Sequence, residues 1–381
     1  MMAPGGAAHA DVVRSFGGEV LAPDGSLDRK RLGALVFADA EARARLNALV
    51  HPRVREEEAR RAAAAGPEAV VVTDAALLVE AGVHLRFRRL VVVHCPPDLQ
   101  RQRLRERDGL DDAAADARLS AQMPIAEKRA FAHLEVDTSG SFADTDQQVE
   151  ALIDRLRALA PGLPRPAPVP LERAAGCLLL GPAEGPRGLR PADVLGEIAD
   201  RREPEMERLA GLLLPPAEHP WYRAARPGNA VGPEALAGPV ALWSLARAGE
   251  DDEHVVAAAA SLARLTHSEA AARAGAGLQA LLLHTVAAGG SLGPGLRDRM
   301  AAHAGRATRW GGAPPGPRVR ASLEAALRHP GDAAEARRAA ADAETGDLAA
   351  ALVGVATGVS LSAAPPRLVA ALRELNAHAA D

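Results

Sequence analysis

Aromatic residues are scarce in this chain of 381 residues: phenylalanine, tryptophan and tyrosine together make up 2% of it. The net charge is −4, and no basic stripe is interleaved with aromatics. Both absences argue against nucleic acid as the main partner. Lysine is almost missing as well, with Lys30 and Lys128 as the two examples. Arginine is abundant, so this reads as a coding bias and not as a binding signal. The two cysteines, Cys95 and Cys177, lie far apart in apolar runs, which suggests neither a disulfide framework nor a cysteine-based metal site. No apolar run reaches the ~18 residues a membrane span needs. The N-terminus lacks the charged region followed by an apolar region that marks a signal peptide. These absences together lead to the expectation of a soluble protein of a reducing, cytoplasmic compartment with no membrane partner.

What is present is alanine, helix-forming charge and a length that suggests two domains. The segment 161–170, PGLPRPAPVP, is half proline. Proline lacks a backbone donor and restricts the residue before it, so this stretch predicts an extended linker between 1–160 and 171–381. The first part alternates helix and strand. Helix is expected over 28–50, with Asp39 a plausible cap for 40–50, a break at His51-Pro52, and helix again over 53–65. Val70–Thr73, Leu90–His94 and Leu134–Val136 read as short apolar strands, with charged helical segments between and after them (98–107, 111–121, 125–132, 142–158). Short apolar strands alternating with helices imply a parallel sheet. The second part has almost no strand signal. Glycine and proline punctuate helical candidates at 191–213, 235–248, 252–265, 268–287, 294–306, 317–328, 333–344, 347–359 and 366–378, an all-α pattern.

Several residues of the first part suit phosphate chemistry. Arg107 ends a charged helix, and Arg118 and Lys128 lie on the next two. Cations on a mobile helical flap can close over a polyphosphate; a solvated basic face is the plainer alternative. Gln122 follows Arg118 by one helical turn and either orients with it or caps before Pro124. Asp74 ends a predicted strand, where such sheets bind ligands. It either helps to hold a magnesium-bound water or forms a turn. His51 sits before a proline, as a ligand contact or as a packing residue at a bend.

Five phrases in order, FGGEVLAPDGSLDRKRLGALVF (16–37), LNALVHPRV (46–54), VTDAALLVEAG (72–82), VVVHCPPDLQRQRLRERDGL (91–110) and DARLSAQMPIAEKRAFAHLEVDTSGS (116–141), resemble dephospho-coenzyme A kinase. The resemblance covers roughly 1–158. It implies an α/β P-loop nucleotide-kinase fold, followed here by the all-α part. It also implies ATP-dependent phosphorylation of the 3′-hydroxyl of dephospho-coenzyme A, with magnesium. The partners so implied are small nucleotides. By the resemblance Arg107, Arg118 and Lys128 belong to a lid that contacts ATP phosphates, and His51, Asp74 and Gln122 to the acceptor side. Where the family has an Ala-Asp pair before the last strand and an asparagine after it, this chain has His133 and Thr138.

The family's phosphate loop has no counterpart in these residues. A P-loop reads GxxxxGK[ST], because its backbone amides cradle phosphates and its lysine bridges them. Lys30 follows Arg29 and Lys128 follows Glu127, so the motif is absent and no catalytic residue is assigned. The expectation is an N-terminally truncated sheet, a reading frame that continues upstream, and no kinase activity from the chain as it stands.

The second part resembles ADP-ribosylglycohydrolases through AAGCLLLGPAEGPRG (174–188), the stretch 226–277 with Leu265-Thr266-His267-Ser268, and 346–372. That family uses two magnesium ions held by several carboxylates. Here its opening Gly-Asp is Gly185-Pro186 and its Asp-Thr-Asp-Thr is Thr345-Gly346-Asp347-Leu348. A degenerate domain is therefore expected, with no metal ligands. A noncatalytic nucleotide or ADP-ribose binder, or a hydrolase with a rearranged metal site, is the alternative function. His267 reads as a capping or packing residue, and Asp251-Asp252 as a solvated first turn.

Overall fold

The segment from Asp28 to Ala65 shows how local chemistry sets the helices. Asp28 accepts from the amides of Lys30 and Arg31, both at 3.0 Å, and starts α2 (Arg29–Ala38). Asp39 accepts from the Glu41 amide at 2.8 Å and starts α3 (Ala40–Ala65). Each satisfies amides that have no partner within the helix. The computed structural model describes residues 2–66, 69–159, 168–181, 193–196, 233–249, 251–265, 267, 269–307 and 317–377. Of the expected linker, 161–167 fall outside the described residues, as do Gly185-Pro186, Thr266, Ser268 and, apart from 193–196, the helical candidate 191–213.

Two compact units form, Met1–Asp74 and Ala75–Asp381. The first holds α1 (His9–Phe16), α2 and α3 around Val12, Phe16, Val20, Leu32 and Val36. Two expectations fail here. The helix does not break at His51-Pro52: α3 runs through Pro52. Alanine, arginine and glutamate on either side are strong helix formers, and Glu57 pairs with Arg60 and Arg61 at 2.8 and 2.7 Å along the same helix. These local gains outweigh the one backbone bond that proline removes. The expected strand at Val70–Thr73 does not form. Among the described residues the segment has no ladder partner, and Val72 is 76% exposed; a strand cannot satisfy its own backbone.

The second unit holds the sheet. β1 (Val91–His94) and β2 (Leu134–Asp137) pair in parallel, from Val91 opposite Leu134 to His94 opposite Asp137. Parallel neighbours need a long crossover, here α4 (Pro97–Asp108), α5 (Asp112–Ser120) and α6 (Ile125–Arg129). α7 (Phe142–Leu159) follows β2. The rest of the described unit is helical: α8 (Leu171–Leu180), α9 (Ala237–Ala248), α10 (Asp252–Ala263), α11 (Ala270–Ala287), α12 (Gly295–Ala307), α13 (Pro317–Arg328), α14 (Ala333–Arg338), α15 (Ala343–Thr357) and α16 (Pro366–Ala377). Its core is mostly alanine, leucine and valine, so helices approach closely. At the α8–α15 crossing a Cβ on Gly176 would lie 2.0 Å from the Gly354 carbonyl oxygen, so only glycine fits.

Leu85 belongs to this helical core, which links the strand-bearing segment to the helices. The joint corrects the reading of Asp251-Asp252 as a solvated turn. Asp251 caps α10 and is buried. Arg89 donates to it at 2.8 Å, and Arg88 lies at 3.8 Å. Asp252 pairs with Arg299 at 2.6 Å and with His303 at 3.1 Å. His267 is buried too, its amide bonded to Ala263 at 2.9 Å.

Candidate nucleotide cleft

Both strands end at a cleft. β1 stops because Pro96 and Pro97 follow, and Pro97 is the first residue of α4, where a missing amide costs nothing. Gln100 on α4 reaches back to donate to the Cys95 carbonyl at 2.8 Å. Arg103, one turn on, donates to the Thr138 carbonyl at 2.6 Å and its hydroxyl at 3.1 Å, fixing the turn after β2 against α4. Thr138 in turn donates from amide and hydroxyl to the His94 carbonyl at 2.8 and 3.0 Å. The result is a cleft of about 1540 Å³ bounded by the strand ends, α4, the α5–α6 segment and the start of α7.

Two of its cations, Arg107 and Arg118, share one carboxylate. α4 ends on Gly109, which sits left-handed at φ 65, so Arg107 and Asp108 stand at the helix terminus. Arg107 donates to Asp108 at 2.7 Å, and Arg118 from α5 reaches the same carboxylate at 2.5 Å. Hydrogen bonding from Arg107, then the charges of both guanidinium groups, holds the Asp108 carboxyl below its usual range. Two exposed guanidiniums on one anion leave a net positive charge at the cleft wall, in planar groups suited to bidentate phosphate contacts.

Lys128 lines the cleft differently. Its ammonium lies 2.6 Å from Glu80, and both side chains are about nine-tenths buried. It also donates to the Gln122 side chain at 3.1 Å and to the Ala76 carbonyl at 3.0 Å. Glu80 accepts from the Met123 amide at 3.0 Å as well. Lys128 and the Met123 amide therefore tie the base of the α5–α6 segment to the 76–80 turn, with Gln122 bracing the lysine. Beside β2, the His133 imidazole accepts from the Leu90 amide at 2.9 Å, and burial pushes its pKa down to about 4.

The lining comes wholly from the second unit. Arg107, Arg118, Gln122 and Lys128 are brought together there. His51 and Asp74 are not: both belong to the first unit. His51 is exposed on continuous helix α3, not at an extended bend as expected, and Asp74 is exposed at the end of an unpaired segment. Glu80 and Arg103 were missed. Glu80 did leave a signal, a lone acid inside the apolar phrase LLVEAG, and a buried acid calls for a cationic partner. Arg103 left none, being one arginine of four on α4.

The dephospho-CoA kinase family model matches residues 1–144. A dephospho-CoA kinase of Anaeromyxobacter dehalogenans is 49% identical over 158 residues, 40% of this chain and 74% of the relative. One from Leifsonia xyli is 43% identical over 157 residues, 40% of this chain and 79% of its own length. The chain belongs to the dephospho-CoA kinase family. A crystal structure of TT1252 from Thermus thermophilus matches at 30% identity over 39% of this chain and 76% of that one, with a TM-score of 0.34. Membership rests on the first part of the chain: the kinase model stops before α7 is complete, and the helices from α8 onward lie outside it. Among the described residues, no helix is long and apolar enough to cross a membrane.

Proposed function

We propose that the first part of the chain carries the lid and acceptor surfaces of a dephospho-CoA kinase. That enzyme transfers the γ-phosphoryl of ATP to the 3′-hydroxyl of dephospho-coenzyme A. The observation that carries the reading is the pair Arg107 and Arg118 converging on Asp108 at the cleft wall. Phosphoryl transfer is mainly positioning and neutralisation of charge. An arriving triphosphate competes with Asp108 for both guanidiniums, and the α5 arginine follows the phosphate inward. Lys128 serves differently in this reading: engaged with Glu80, it anchors the segment that moves.

Among the described residues, no group of three or more histidine, cysteine or acidic side chains is placed to hold a metal. Magnesium would enter as part of the nucleotide complex. The 381 residues also contain no P-loop sequence, so we propose that this chain binds nucleotide without transferring phosphate. Calorimetry should show ATP and dephospho-coenzyme A binding. Arg118→Ala should weaken ATP about tenfold, as expected for losing one charge-assisted phosphate contact, and ADP release should stay at background. Sustained ADP release dependent on dephospho-coenzyme A would refute the inactivity. Unchanged ATP binding by Arg118→Ala would refute the site.

For the helical part we propose a noncatalytic role. Asp347, the acid retained from the glycohydrolase pattern, is paired with Arg337 at 2.7 Å and, among the described residues, belongs to no cluster of three or more potential metal ligands. Release of ADP-ribose from a modified protein, lost on Asp347→Asn, would overturn this.

A further inference from the structure

The short helix α6 that follows α5, the helix carrying Arg118, is fastened at its far end to the helical part of the chain. Glu127 on α6 pairs with Arg264, at the C-terminal end of α10. The Arg264 guanidinium also lies over the ring of Phe131, 5.6 Å from its centre. The Phe131 ring meets His84 edge to face at 5.1 Å and 73°, and His84 shares a 3.1 Å hydrogen bond with the Ser261 hydroxyl. Ala130 and Phe131 border a small void with Ala257, Ala260, Ser261 and Arg273 from α10 and α11. A single arginine thus holds both the charged face of α6 and the aromatic residue just after it.

A lid that closes over a ligand needs a hinge, and the hinge works against whatever it is mounted on. Here Lys128 and the Met123 amide fix one side of the α5–α6 segment to the 76–80 turn, and Arg264 fixes the other side to α10. We propose that Arg264 is a positioning residue for the lid, through which the helical part sets how tightly the cleft holds a polyphosphate nucleotide. This rests on the reading of the cleft as a nucleotide site. The helical part is then a built-in regulator of the kinase-like part, acting through one ion pair and one aromatic contact.

The test is a charge swap on the full chain. Glu127→Gln, on the more exposed partner, and Arg264→Glu should each speed amide exchange across residues 112–132. Each should weaken binding of ATP and of inorganic tripolyphosphate by about tenfold, within the usual range of coupling between sites. The double variant Glu127→Arg with Arg264→Glu should recover both readings to within about twofold if pairing is what matters. Thermal unfolding checks that each variant folds; should Arg264→Glu not fold, Glu127→Gln and Arg264→Lys carry the comparison, with Arg264→Lys near wild type. Faster exchange with unchanged affinity would overturn the proposal, as would lost affinity in a folded swap variant. If the wild-type chain binds neither ATP nor tripolyphosphate, the nucleotide reading of the cleft falls. The exchange data would then decide separately whether Arg264 holds the segment, and unchanged exchange in both single variants would sink that too.

Discussion

Lys128 was expected to reach a phosphate, and its ammonium is instead engaged by Glu80, Gln122 and the Ala76 carbonyl. The difference is one of burial, which residue type alone does not reveal. Lys128→Ala would leave Glu80 buried without its cation, so it should destabilise the protein by about 3 kcal/mol, read as a lower urea midpoint. A variant at Arg118, whose pair with Asp108 is half exposed, should leave that midpoint almost unchanged. The histidines give a second test. Burial, the largest cause for each, lowers the pKa of His84 and His254 to about 3 and of His133 to about 4, from 6.5 in an unfolded chain. The unfolded state therefore takes up protons that the folded state refuses. Stability from these neutral imidazoles is complete above about pH 6.5 and declines as pH falls toward 3. Urea midpoints should drop between pH 7 and pH 5; a flat profile would count against burial of neutral rings at the joint. The identity of these histidines is visible in the sequence, but His84 and His133 are shifted beside residues of α10 and its cap that lie more than a hundred residues away.

At the scale of elements, the sequence was most informative where the causes are local. The Asp39 cap, the two strands at 91–94 and 134–137, and most helices of the second half follow from capping chemistry and apolar patterning. The failures have non-local or competing causes. Val70–Thr73 is at least as rich in β-branched residues as β1, yet among the described residues only β1 of the two finds a neighbour. Composition proposes a strand, but a ladder requires a partner. His51-Pro52 failed in the opposite direction, since a good local breaker lost to the helix formers around it. Pro52 nevertheless removes a bond inside α3, so Pro52→Ala should stabilise the first unit by about 1–3 kcal/mol, offset in part by greater freedom of the unfolded chain. A raised thermal midpoint with unchanged helix content would confirm it, and a lowered midpoint would show that the ring packs usefully where it stands. The cleft was half legible for the same reason. Arg107, Arg118, Gln122 and Lys128 stand within 22 residues of one another in sequence, whereas the Glu80 anchor, the Thr138 turn and the Arg264 mount are brought in by the fold.

For the molecule as a whole, the proline-rich stretch suggested a seam, but the contacts in the second unit cross that seam. Leu85 sits in the helical core, Arg89 neutralises the buried Asp251, and His84 meets Ser261. Cutting the chain between 160 and 168 leaves all of these pairings intact while removing the covalent connection. The two pieces, each alone, would expose apolar surface and strand a buried charge, and should be poorly soluble or partly unfolded. Produced together they should find each other, because Leu85, Arg89 and His84 make the joint from outside the linker. Fragment complementation, scored as co-purification of 1–160 with an affinity-tagged 168–381, should succeed for the natural pair and fail when Arg89 is replaced by glutamate. Two independently folded fragments that ignore each other would contradict the packing at the Arg89–Asp251 joint. The same joint makes this chain a candidate for a split reporter: two silent halves whose reunion is read from a restored fold.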